Sequence, residues 1–296
     1  MSDILNVGVY GLGNMGYLVA ERLAKCFHVK VFDPSARQLQ RARDAFKATP
    51  IEHPKDLAGT RVVVLSLPSP AISLSVIHDL VPVLAEGSVI IETSTVNPED
   101  MLRAHKVLNP HGIDIIDASV LAGVSQMAAG TATLALGGPH SAIEFCKQVL
   151  DAIAIKQIYF GDLGAGAAAK VINNAVAHAV MAVIVEAGSM ATAAGVDCGK
   201  LIDLLTDAQM GIQRPLTHRY GERIIQGNYE GGMPLYAARK DSVLALQLAQ
   251  NLGVPLFAIQ GAHSVYEMAV TAGYGRDDYA AIAKLWSAWG RPAVPG

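Results

Sequence analysis

The chain has 296 residues, 51% hydrophobic and 17% charged, which is enough apolar material for a sizeable core and not a disordered composition. Its formal net charge is −3 and its Lys and Arg residues form no cluster, which argues against nucleic acid or a membrane surface as a partner. Cys26, Cys146 and Cys198 are scattered without metal-ligand spacing and read as thiols of a reducing compartment. The first residues lack a basic segment followed by an apolar one, so a cytoplasmic location is expected.

Ile4 to Tyr10 is a β-rich run that leads into Gly11-Leu12-Gly13-Asn14-Met15-Gly16 and then into a helical pattern. A glycine motif between a strand and a helix is the phosphate-binding turn of a dinucleotide fold. It gives a tight turn, close approach of backbone to a pyrophosphate, and free N–H groups at the helix start. The next strand, His28 to Asp33, ends in a carboxylate about 20 residues on, where such folds bind the adenosine ribose. Asp33 would accept from the ribose hydroxyls and repel a 2′-phosphate, which favours NAD over NADP. Arg37 leaves NADP open, and capping of the following helix is the structural alternative for Asp33.

Strands over 61–66 and 88–92 run into Leu67-Pro68-Ser69-Pro70 and Thr93-Ser94-Thr95. Loops at strand carboxyl ends line the ligand crevice of an open parallel sheet, so 66–69 and 93–95 are expected beside the cofactor. Thr95 could serve either a nicotinamide amide or the helix that starts near Asn97-Pro98. A strand over 112–117 precedes Ala118-Ser119-Val120-Leu121-Ala122-Gly123. A strand over 133–136, a helix over 141–150 and a strand over 155–160 complete the sheet.

Beyond Gly161 the β-rich runs all but vanish. Helical segments are expected over 165–193, 199–207, 214–226, 234–252, 255–273 and 277–288. The fold class is therefore an α/β Rossmann-type dinucleotide-binding domain over 1–162, followed by an all-α domain over 163–296. The longest helix begins near Ala165, and Lys170 and Asn174 share one of its faces. Taken alone, a single cation on an apolar helix reads as a surface lysine. The apolar run 175–185 carries His178 and is closed by Glu186, too short and interrupted to span a bilayer.

Together these motifs resemble the β-hydroxyacid dehydrogenases, the group that includes 3-hydroxyisobutyrate dehydrogenase and tartronate semialdehyde reductase. The resemblance is carried by the 11–16 glycines, Glu92 to Thr95, 117–123 with Ala129-Gly130-Thr131, Gly164-Ala165-Gly166 with Lys170 and Asn173-Asn174, and Lys240-Asp241. It implies hydride transfer between NAD(H) and a small 3-hydroxy acid or its oxidised form. It assigns Lys170 as proton donor and acceptor and Asn174 as a substrate holder. Thr95 would lie beside the nicotinamide, Lys240 would close over the cofactor, and 118–123 would bind the substrate carboxylate. The family usually reads Asp-Ala-Pro-Val-Ser-Gly-Gly there, whereas this chain has Ser119, Leu121 and Ala122 before Gly123. The usual hydroxyl is missing at 121; backbone N–H groups of the segment could still bind the anion, Ser119 or Ser125 could supply a hydroxyl, and Leu121 could make the pocket more apolar.

Two other readings follow from the same residues. Imine reductases share the architecture but typically carry Asp or Tyr where Lys170 stands. A regulator that senses NAD(H) without turnover would have no need of Lys170 and Asn174 together. The long Ala-rich helix exceeds what one small helical domain covers, so a homodimer or homotetramer is expected, as the resemblance also implies.

Overall fold

In the computed structural model, which describes residues 6–294, the β-branched runs of the first half align as one eight-stranded sheet. The strands are β1 (Asn6–Tyr10), β2 (His28–Phe32), β3 (Thr49–Pro50), β4 (Val62–Leu65), β5 (Val89–Glu92), β6 (Asp114–Val120), β7 (Thr133–Gly137) and β8 (Lys156–Gly161). Their order is β3-β2-β1-β4-β5-β6-β7-β8, parallel except for the antiparallel β6–β7 pair. Ile4 and Leu5, expected in the first strand, lie outside the described residues.

Val62–Leu65 and Val89–Glu92 are buried at every position, as central strands covered on both faces must be. The two-residue period sends Val62 and Val64 into one apolar cluster and Val63 and Leu65 into the other. The first cluster is covered by α1 (Asn14–Leu23), α2 (Ala36–Phe46), α5 (Val124–Ala129), α6 (His140–Phe145) and α7 (Lys147–Ile153). The second is covered by α3 (Pro70–Leu80) and α4 (Pro98–Leu108).

Three details of the sheet unit differ from the sequence expectation, and in the helical unit the segments expected over 214–226 and 277–288 are π-helical over Pro215–Ile224 and, over Tyr279–Ile282, 3-10. The segment after Asp117 is not loop from its start, because Ala118–Val120 continue β6 and pair with Leu134–Leu136 of β7. The helix expected over 141–150 is divided at Cys146 into α6 and α7. Strand β3 is too short to leave a period in the sequence.

Helix α8 (Ala165–Ala193) is 29 residues long. Contacts divide the chain within it, into Met1–Ala175 and Val176–Gly296. The second unit continues with α9 (Cys198–Thr206), a π-helical turn over Pro215–Ile224, α10 (Leu235–Leu252), α11 (Ala258–Thr271) and α12 (Ala283–Ala288). Its buried apolar cluster is small, Leu235, Ala269 and Leu285, ringed by half-buried side chains such as Val265, Tyr266 and Tyr279. Asp278 is fully buried beside Arg219 and Arg223.

Helix α8 is long and apolar enough to cross a membrane, with a window of mean hydropathy 1.6 of which none is buried. The run 175–185 is too short to span by itself, and α8 reaches its 29 residues through the Ala-rich turns on either side. Glu186 interrupts the stretch: its buried carboxylate accepts from the N–H groups of Phe257, Ala258 and Ile259 at 2.6–3.0 Å.

Candidate active site

Strand order reverses between β1 and β4, and ligands of open α/β sheets bind beyond the strand ends at that point. Gly11 leaves β1 at φ 94°, and a Cβ there would lie 2.1 Å from the Ser66 carbonyl oxygen. A Cβ on Gly16 would lie 2.1 Å from the Gly11 oxygen, so both positions demand glycine. Gly13 differs, since nothing lies within 4 Å of where its side chain would be. It is the N-cap of α1, makes no side-chain cap bond, and is followed by no acidic residue in the first turn. The result is a bare helix N-terminus facing open space, which suits a pyrophosphate.

Asp33 closes the other side of this groove. Its Oδ2 accepts from Leu12 N at 2.7 Å and its Oδ1 from Ser35 N at 2.8 Å. Helix α2 is capped by Ser35, which accepts from Gln38 N, so the capping alternative for Asp33 falls away. The groove has a volume of about 500 Å³ and brings together Gly11, Gly13, Asn14, Met15, Gly16 and Asp33 with Leu67 and Pro68 opposite. Leu12 is wholly buried and takes part through its backbone N–H. These residues fit a dinucleotide: the space above Gly13 is one that a side chain would fill. Arg37 is exposed on α2.

The next two loops are tied to each other. Leu67 N donates to Ser94 Oγ at 2.7 Å, and Ser94 N donates to the buried Glu92 carboxylate at 2.9 Å. Thr93 Oγ1 donates to the Leu65 carbonyl at 2.6 Å. Thr95 is left exposed, and α4 is capped by Asn97, not by Thr95.

At the end of β6, Leu121 N donates to the Thr133 carbonyl at 2.8 Å, and Leu121 and Ala122 are half-buried. Gly123 N donates to Gln126 Oε1 at 2.9 Å as part of the α5 cap. The N–H groups of 121 and 123 are thus already bonded within the chain. Ser119 is buried in β6 with its Oγ unbonded, while Ser125 is exposed.

Helix α8 starts against this sheet because two glycines permit it. Gly164 has φ 97°, and a Cβ on Gly166 would lie 2.6 Å from the Ala135 carbonyl oxygen on β7. Lys170 follows one turn later, half-buried, its amine held below the ordinary lysine range by burial. Asn174 is half-buried one turn further and His178 is exposed. Lys240 belongs to the second unit, where it is 67% exposed and pairs with Asp241 at 3.0 Å.

The anchoring carboxylates Glu92 and Asp117 were not singled out as functional from the sequence. The signal was available: Glu92 closes an apolar strand and Asp117 follows the apolar pair Ile115-Ile116, and a buried acid needs donors nearby.

Fold and groove define a nicotinamide-dinucleotide-binding protein. Residues 6–161 match the family model described as the NAD binding domain of 6-phosphogluconate dehydrogenase, and residues 164–286 that described as NAD-binding of NADP-dependent 3-hydroxyisobutyrate dehydrogenase. The L-threonate dehydrogenase of Cupriavidus necator is 31% identical over 95% of this chain and 96% of its own. Among solved structures, the 3-hydroxyisobutyrate dehydrogenase of Mycobacterium tuberculosis is 25% identical with TM-score 0.65, covering 95% of this chain and 98% of that one. An imine reductase of Streptomyces aurantiacus is 22% identical with TM-score 0.84, covering 95% and 99%, a likeness of fold alone. The chain belongs to the β-hydroxyacid dehydrogenase family.

Proposed function

We propose that the protein transfers a hydride between NAD(H) and a small 3-hydroxy acid or its oxidised form, with Lys170 moving the proton. The observation that carries this is a half-buried lysine, its amine lowered by desolvation, one turn beyond the sheet-anchored start of α8. When bound, the nicotinamide accepts or supplies the hydride. Lys170 in its neutral form takes the hydroxyl proton during oxidation, and as the ammonium returns it during reduction. An ordinary lysine is almost wholly protonated at neutrality, so lowering its pKa raises the fraction able to act as base. Asn174, on the same face, holds the substrate hydroxyl or carboxylate.

NAD is the preferred cofactor in this reading, because a fixed carboxylate at the end of β2 disfavours a 2′-phosphate. With the N–H groups of Leu121 and Gly123 bonded within the chain, and Leu121 where the family has Ser, the acid bound there is one with an apolar substituent. Exposed apolar residues on α8, among them Val176, Met181, Ile184 and Val185, support assembly as a homodimer or homotetramer. Thr95, exposed in the loop after β5, contacts the nicotinamide in this reading.

The fold likeness to imine reductases has a competing chemistry attached to it, and Lys170 favours the alcohol substrate. The test is a screen of NAD and NADP against short 3-hydroxy acids of graded polarity, with cyclic imines in parallel under NADH and NADPH. NAD-linked oxidation of a 3-hydroxy acid with an apolar substituent is expected. Turnover of imines alone, or cofactor binding with no turnover, would overturn the proposal.

A further inference from the structure

A residue of the cofactor domain that does not reach the groove has a bearing on Lys170. Helix α8 starts after Gly164, which has no side chain to cap the free N–H groups of its first turn. The missing cap comes from the sheet. Asp117, 1% exposed on β6, accepts from Gly164 N with both oxygens at 3.0 Å. Its Oδ2 also accepts from Gly166 N at 2.8 Å and Ala167 N at 3.2 Å. Three N–H donors of the helix start, those of Gly164, Gly166 and Ala167, are thus held by one carboxylate 47 to 50 residues away in the chain. The space is matched to it, since a Cβ on Gly137 would lie 2.2 Å from Asp117 Oδ2 and 2.8 Å from Gly166 N.

The neighbouring strand repeats the device. Glu92 of β5 stands in register with Asp117 of β6, and through Ser94 it holds the loop that accepts from Leu67 on the groove. The two buried acids therefore fix the start of α8 and the loop after β5 to adjacent strands of one sheet. Lys170 lies about one helical turn, roughly 5 Å along the axis, from the N–H of Ala167. A helix is stiff over one turn, so a shift or rotation at Gly166 is passed to Lys170 almost undiminished.

We propose that Asp117 is a positioning residue for catalysis: by capping α8 from the sheet it sets the placement of Lys170 relative to the cofactor groove. This rests on Lys170 being the acid–base group. Burial raises the Asp117 pKa and the N–H bonds of Gly164, Ala167 and Gly166 oppose the rise. Every contact above has the carboxylate as acceptor.

The test is a double-mutant cycle. Asp117→Asn presents an amide to donors that need an acceptor, and Gly137→Ala pushes the carboxylate off its seat without altering it. Each is made in the wild-type and in the Lys170→Met background, with kcat, KM and NADH affinity measured. Because a misplacement of about 1 Å costs on the order of 10²-fold in rate, kcat should fall by about that factor in the wild-type background. KM and NADH affinity should stay within about twofold, and in the Lys170→Met background the residual kcat should also change by no more than about twofold. Equal losses in both backgrounds, including loss through misfolding, would show that Asp117 serves general stability and would overturn the proposal, as would no loss in either. If Lys170→Met alone retains wild-type kcat, it is the reading of Lys170 that fails.

Discussion

The two contact units differ in how much of their own apolar surface they bury. The first covers both faces of its sheet, and residues such as Val9, Leu65, Ile90 and Ile116 are fully buried. The second buries Leu235, Ala269 and Leu285 as its cluster and leaves Met181, Ile184, Leu204, Leu216, Leu248 and Trp289 exposed. A unit of this size with so slight a core depends on burying more elsewhere. The first unit builds its groove from residues of one compact sheet domain, whereas the second leaves large apolar side chains exposed.

The largest expected effect follows from that contrast. Placing charges on the exposed α8 face, as in Ile184→Asp with Val176→Asp, should dissociate the assembly. Wild type should sediment at twice the 31.1 kDa of one chain or a higher even multiple, and the variant at one. The variant should also melt lower by roughly 5–10 °C, with the loss in the helical unit. A monomeric wild type would break the comparison, because the apolar face would then be stable in water.

A smaller effect separates internal anchoring from assembly. Burial raises the Glu186 pKa, but the N–H groups of Ile259, Ala258 and Phe257 outweigh it, so the carboxylate lies below the ordinary glutamate value of 4.5. A depressed folded-state pKa means a stabilisation present above about pH 4.5 and lost as pH falls through the folded value. Glu186→Gln should lower the melting temperature at pH 7 by a few degrees, on the order of 2–5 °C. The gap to wild type should close as pH drops below about 4.5. A gap independent of pH would mean that shape, not charge, matters there.

The sequence made the fold legible wherever a period was long enough to read. Buried parallel strands announce themselves as runs like Val62–Leu65, and the Ala-rich stretch after Gly164 declares a helix by propensity. The groove was legible because glycine is demanded there by backbone geometry, and Gly11 and Gly16 have no room for a Cβ. Other features depend on contacts distant in sequence. That β6 runs on to Val120 is decided by its partner β7, and that Ser35, not Asp33, caps α2 is decided by the hold of Leu12 on Asp33. The same holds for Asp117 and Glu186, whose partners lie 47 or more residues away. The π-helical turn over Pro215–Ile224 leaves no period distinguishable from an α-helix over so few residues.

The pH dependence of the rate tests the role of Lys170 most directly. Oxidation needs the neutral amine, so wild-type kcat should rise with pH through a limb centred below the ordinary lysine value of 10.5. Lys170→Met should lose that limb and about 10²–10⁴-fold in kcat while still binding NADH. A variant that keeps both the rate and the limb would contradict the account.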